Sequence, residues 1–134
     1  MKALIRELDR VFSIYIRLRD TNENGAGRCI SCNNPVSYSK MNAGHYISRN
    51  IKCIRWSEVN VNGQCVRCNM FYEGNIPGYR EGMIKKYGQQ TLNDLELARH
   101  KTQKISRFEL YTMIGLYKKE ARKLLEGKNF TIKI

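Results

Sequence analysis

Cys29-Ile30-Ser31-Cys32 and, thirty-two residues later, Cys65-Val66-Arg67-Cys68-Asn69 decide how this chain is read. Each Cys-x2-Cys turn can present two thiolates to one metal, and two such turns complete a tetrahedral four-sulfur site, so structural Zn2+ on Cys29, Cys32, Cys65 and Cys68 is expected. Ala43-Gly44-His45-Tyr46 lies between the pairs, and Glu73 follows the second pair closely. A titratable imidazole and oxygen donors beside a metal staple suggest a second, catalytic site next to the structural one.

Outward from these turns, the chain alternates between short strand-like and longer helical patterns. Residues 43–48 alternate loosely and read as a strand, as do 59–64, Val59-Asn60-Val61-Asn62-Gly63-Gln64, which deliver the second cysteine pair. Between them, Arg49, Asn50 and Lys52 occupy a loop, and Cys53-Ile54-Arg55-Trp56 reads as further strand. Arg55 with Trp56 could grip a nucleotide, or Trp56 could be core, because a Trp buries a large area. Cys53, the unpaired cysteine, reads as a small apolar residue in a partly buried strand.

Upstream, residues 3–19 place Leu4, Leu8, Val11, Phe12, Tyr15, Ile16 and Leu18 on one face of an amphipathic helix. Arg10, Arg17 and Arg19 on that helix, and Arg28 after it, are either solvated charges or phosphate contacts. Downstream, Pro77 opens a helix over 78–87 that Gly88 ends, and Thr91-x2-Asp94 reads as the start of another that runs to His100. Ser106-x2-Glu109 is a capping box that launches a long amphipathic helix over 107–126. In the tail, Phe130, Ile132 and Ile134 alternate as a strand would.

The 134 residues carry 24 Lys and Arg against 12 Asp and Glu, a formal charge of +12, with 42% hydrophobic residues. A folded domain with so positive a field points to a polyphosphate partner, and nucleic acid is the commonest. Four of five cysteines in Cys-x2-Cys spacing argue for metal in a reducing compartment rather than disulfides. No apolar stretch approaches the length that spans a bilayer, so a cytoplasmic protein without a membrane partner is expected.

Cutting a phosphodiester needs a base to activate water and a cation to stabilise charge on phosphate and leaving oxygen. His45 could be the base. Asn69 and Glu73 could hold a Mg2+ or Mn2+ ion through oxygen, with Asn60, Asn62, Glu58 and Asn42 in reserve. Asn69 could equally cap the following helix, as Asn does at N-caps.

The ordered set Cys-x2-Cys, His, Cys-x2-Cys-Asn resembles the ββα-metal nucleases of the HNH group. With Tyr15-Ile16-Arg17-Leu18-Arg19-Asp20, Asn60-Val61-Asn62-Gly63-Gln64-Cys65, Gly74-Asn75 and Tyr79-Arg80, it is similar to the lambdoid phage NinG family, also called Rap, over about two-thirds of the chain. That resemblance implies an endonuclease for branched recombination intermediates such as Holliday junctions and D-loops, in the cytoplasm of a bacterial host. It implies His45 as general base, Asn69 as ligand or orienter of the catalytic metal, and the four cysteines as zinc ligands. An acidic or histidine ligand often directly precedes the base in the wider group, and Gly44 stands there here. Asn42, Asn60 or Glu73 could compensate, or His45 could bind metal and leave the base role to another group.

The expected architecture is a single α+β domain over 1–134, with an N-terminal helix over 1–20, a zinc-stapled HNH-like ββα-metal core over 29–75 and a C-terminal helical part over 76–126. Arg49, Lys52, Arg55, Arg67 and Arg80 are the expected DNA contacts, reading junction shape and phosphate positions rather than base edges. Two cuts per junction suggest a homodimer, and phage recombination proteins are the partners such a family implies. The competing expectation is a zinc-binding nucleic-acid adaptor that cuts nothing.

Overall fold

A computed structural model describes all residues, Met1–Ile134. The chain runs α1 (Lys2–Arg19), β1 (Ala26–Arg28), β2 (Pro35–Ser37), β3 (Asn42–His45), a 3-10 turn (Lys52–Ile54), β4 (Val61–Gln64), a π-helical turn (Arg67–Phe71), α2 (Ile76–Tyr87), α3 (Gln89–Ala98) and α4 (Arg107–Glu126). It is a mixed α+β fold with two small antiparallel sheets, β1 with β2 and β3 with β4.

Helices α1 and α4 form one side. Their apolar stripes, Leu8, Val11, Phe12 and Ile16 on α1 and Leu110, Ile114 and Tyr117 on α4, meet in a core that also takes Trp56 and Val61. A second core, Tyr79, Met83, Leu92 and Leu95 with Ile47 and Ile54, packs α2 and α3 beneath the loop between β3 and β4. The capping box forms at Ser106, whose hydroxyl accepts from the Glu109 N–H at 3.1 Å. Gly88 ends α2 at a φ of +91° that a side chain would resist.

Several expectations are corrected. Residues 53–56 are not strand. The segment is a 3-10 turn, in which the Cys53 thiol donates to the Ala98 carbonyl at 3.2 Å. Trp56 is 8% exposed and its indole N–H donates to Asp9 at 2.9 Å, so it is core. Helix α3 begins at Gln89 directly after Gly88, and Thr91 caps nothing. The tail forms no strand, but Phe130, Ile132 and Ile134 pack against Ile14, Leu18 and Ala121.

Antiparallel register pairs Asn42 with Gln64, Ala43 with Gly63, Gly44 with Asn62 and His45 with Val61. Because side chains alternate across a strand, Ala43 and His45 face α1, and Gly44 and Asn42 share the opposite face. Strand β4 is buried at all four positions. Asn60, Asn62 and Gln64 are each 0% exposed, and such buried amides persist only where hydrogen bonds replace water.

Candidate functional site

The two Cys-x2-Cys turns converge. Helix α2 seats the first of them, because Gly78 and Gly82 lie against the Ser31 and Ile30 carbonyls, where any Cβ would overlap backbone oxygen. Strand β4 carries the second, and the four sulfur atoms of Cys29, Cys32, Cys65 and Cys68 all lie within 4.8 Å of one another. The Cys32 and Cys65 sulfurs are 3.8 Å apart, and Zn–S bonds of roughly 2.3 Å set tetrahedral sulfurs ~3.8 Å apart. The cluster could therefore hold a zinc ion.

Donors around the sulfurs suit thiolates. The Cys68 N–H points at the Cys65 sulfur at 3.4 Å, and the Asn75 side-chain amide donates to the Cys68 sulfur at 3.3 Å. Burial pushes the Cys68 thiol up to about 12, and raises Cys29 as well. Burial also works on Cys65, but the N–H and thiols directed at its sulfur hold it below the ordinary thiol value. A bound cation would supply the charge that keeps all four ionised.

His45 closes β3. Its Nε2 lies 2.8 Å from the Arg55 carbonyl oxygen, and a carbonyl can only accept, so Nε2 carries the proton and Nδ1 keeps a free lone pair. Burial, above all, lowers the His45 pKa below the ordinary imidazole value. Arg49 and Arg55 push it the same way, against the Arg55 carbonyl and the Asp9 carboxylate. The imidazole is thus neutral at neutral pH. It opens into a pocket of about 150 Å³ lined by Asp9, Ser13, Ala43 and Arg49 among others.

That pocket shares Ser13 and Ala43 with a wider surface groove lined also by Arg17, Lys40, Asn42 and Asn69. His45 and Asn69 thus line neighbouring cavities that meet at Ser13 and Ala43, with Arg49 in the first and Arg17 and Lys40 in the second. Asn69 lies within the π-helical turn, with its N–H bonded to the Cys65 carbonyl at 3.0 Å. It caps no helix. The N-cap of α2 is Asn75, whose side chain accepts from the Gly78 N–H.

Other expected site residues are engaged elsewhere. Asn60 is a clamp: its Oδ1 accepts from the Ile47 N–H at 2.8 Å and its Nδ2 donates to the Ile47 and Ile54 carbonyls. Both ends of the Asn60 amide are thus engaged within the loop between β3 and β4. Asn62 accepts from Arg19, Lys86 and Tyr87, and Glu58 accepts from Tyr15 and Tyr117. Glu73 is exposed at a left-handed φ of +50° and lines neither the pocket nor the groove.

Among the expected DNA contacts, Arg55 is held by both Asp9 oxygens, so its guanidinium is an internal tie. Arg49, Lys52, Arg67 and Arg80 are exposed. Arg19 is likewise internal, grasping Asp20 and the Val61 carbonyl. Lys40, Ser13 and Gln64 were not legible as site residues from spacing. Only the alternation of polar residues 60, 62 and 64 along an otherwise apolar-flanked strand signalled that these amides face inward.

A sequence profile described as Bacteriophage Lambda NinG protein matches residues 1–127. Protein ninG of Escherichia phage lambda is 32% identical over 93 residues, 69% of this chain and 43% of that protein. Protein ninG of Salmonella phage P22 is 27% identical over 126 residues, 93% of this chain and 59% of that protein. The chain thus spans about half the length of the curated relatives it matches. No solved structure matches it. The chain belongs to the NinG family.

Proposed function

Proceeding from membership of the NinG family, we propose that this chain is a metal-dependent DNA endonuclease of the HNH-like ββα-metal type, acting on branched recombination intermediates. The observation that carries this reading is the neutral His45 imidazole, oriented by the Arg55 carbonyl, in a pocket that shares Ser13 and Ala43 with a groove lined by Arg17, Lys40 and Asn69. In this reading strands β3 and β4 with the helical turn that holds Cys68 would serve as the ββα unit, fastened by the cysteine cluster.

In this reading Arg17, Lys40 and Arg49 hold backbone phosphates along the groove. His45 Nδ1 takes a proton from water as the water oxygen bonds to phosphorus and the ester bond to the sugar oxygen breaks. The departing oxygen takes a proton from solvent. A Mg2+ or Mn2+ ion at Asn69, when bound, supplies positive charge for the phosphate and the leaving oxygen. The donor set fits such hard cations, because Asn69 offers amide oxygen rather than nitrogen or sulfur.

The test is His45→Ala, assayed for cleavage of a labelled four-way junction beside zinc content and junction binding. The expected result is a roughly 10²–10⁴-fold slower cut, the range for losing a general base, with zinc and binding retained. Unchanged turnover would remove His45 from the reaction.

A further inference from the structure

Gly44 occupies the position where the wider nuclease group often carries a metal ligand, and its surroundings explain the glycine. Its φ is not in the left-handed region, so the backbone there admits any residue. What excludes a side chain is space: a Cβ on Gly44 would overlap Gln64 Oε1 and come 3.2 Å from Asn69 Oδ1. Two amide oxygens from different elements therefore converge over one residue. They lie no more than about 5 Å apart, a limit that includes the ~3–4 Å separating two oxygens on one six-coordinate cation with bonds of roughly 2.1 Å.

Gln64 is 0% exposed, and its Oε1 is the one buried side-chain polar atom without a hydrogen-bond partner. Turning the amide over does not relieve this. Its Nε2 donates to the Gly74 carbonyl at 2.7 Å and to Ser31 Oγ at 2.8 Å, and a flip would set Oε1 against the Gly74 oxygen, which cannot donate. The bond to Gly74 thus fixes the carbonyl end of Gln64 toward Gly44 and Asn69. An unpaired buried carbonyl costs about 1–3 kcal/mol, and a cation or its bound water would remove that cost.

We infer that Gln64 Oε1 is a ligand of the divalent cation, working with Asn69 Oδ1, and that it takes the place of the acidic side chain Gly44 lacks. The inference rests on the nuclease reading for why a cation belongs there, but its geometry is independent of turnover. Both proposed ligands are neutral, so the protein alone should hold the ion weakly and rely on substrate phosphate for charge, as Mg2+ sites commonly do.

The experiment is Mn2+ titration of the ¹⁵N-labelled, zinc-loaded protein, followed by paramagnetic broadening. Substoichiometric Mn2+ should erase the side-chain amide signals of Gln64 and Asn69 while sparing that of Asn129, which is tied to Asn24 in the tail. Gln64→Ala should weaken Mn2+ binding at Asn69 at least tenfold, and Gly44→Asp with Gln64→Ala should restore it by moving the ligand across the strands. Mn2+ binding at Asn69 of unchanged strength in Gln64→Ala, or no tightening in Gln64→Glu should the alanine variant prove too unstable to study, would overturn the inference. Junction cleavage by the wild-type protein separates the two readings: cutting with Mn2+ affinity unmoved by the Gln64 variants overturns this ligand and leaves the nuclease, and a Gln64-dependent Mn2+ site without cutting does the reverse.

Discussion

The α1–α4 pair and the cysteine half of the molecule are held by different forces. Leu8, Val11, Phe12 and Ile16 meet Leu110, Ile114 and Tyr117 in an apolar seam, which needs no ion. The cysteine half has strands of three or four residues, too short to carry a core alone. Four sulfurs and three fully buried amides join the second core of Tyr79, Met83, Leu92 and Leu95 in holding those strands. The candidate site therefore sits on the half that carries the cysteine cluster, with His45 facing the apolar helices and Gly44 facing the polar network.

Removing a sulfur ligand should have the largest effect. Cys65→Ser should release zinc and abolish amide protection in β3 and β4, because a structural zinc site contributes roughly 10 kcal/mol or more to folding. Hydrogen exchange would show protection surviving longest in α1 and α4. Equal loss in both halves would erase the distinction between them. Asn60→Ala comes next. It strands the Ile47 N–H and carbonyl without partners, while the Ile54 carbonyl keeps the Ser57 N–H at 3.1 Å, and should cost about 2–4 kcal/mol in a denaturant melt, while leaving zinc content intact. A cost below that range would mean the loop between β3 and β4 relaxes around the missing amide. Smallest is Ser106→Ala, which removes the α4 cap and should cost ~1 kcal/mol, a test of how far the helical half depends on local rather than packing terms.

The same contrast explains what the sequence could disclose. Helices α1 and α4 announce themselves through apolar period and the Ser106 box, and the cysteine spacing announces the cluster, because each is a local pattern. The roles of the amides are not local. Asn60, Asn62 and Gln64 look alike on the strand, and only their partners distinguish two saturated clamps from one orphaned carbonyl. Arg55 and Trp56 read as either a nucleotide grip or core, and Asp9, forty-six and forty-seven residues away, holds both. The β1–β2 hairpin around the first cysteine turn left no strand signal, since Pro35 and two exposed ends obscure a three-residue pairing.

The most direct measurement is cleavage of a labelled four-way junction by the wild-type protein, beside linear duplex, with Mg2+, Mn2+ or chelator, followed downward from pH 8. Metal-dependent cutting that favours the junction is the expected result. Because the His45 pKa is lowered, the base form persists as protons are added, so the rate should fall only below about pH 6.5, the ordinary histidine value. Tight junction binding with no cutting in either metal would contradict it, and would make the chain a zinc-bearing DNA adaptor with His45 as a structural residue.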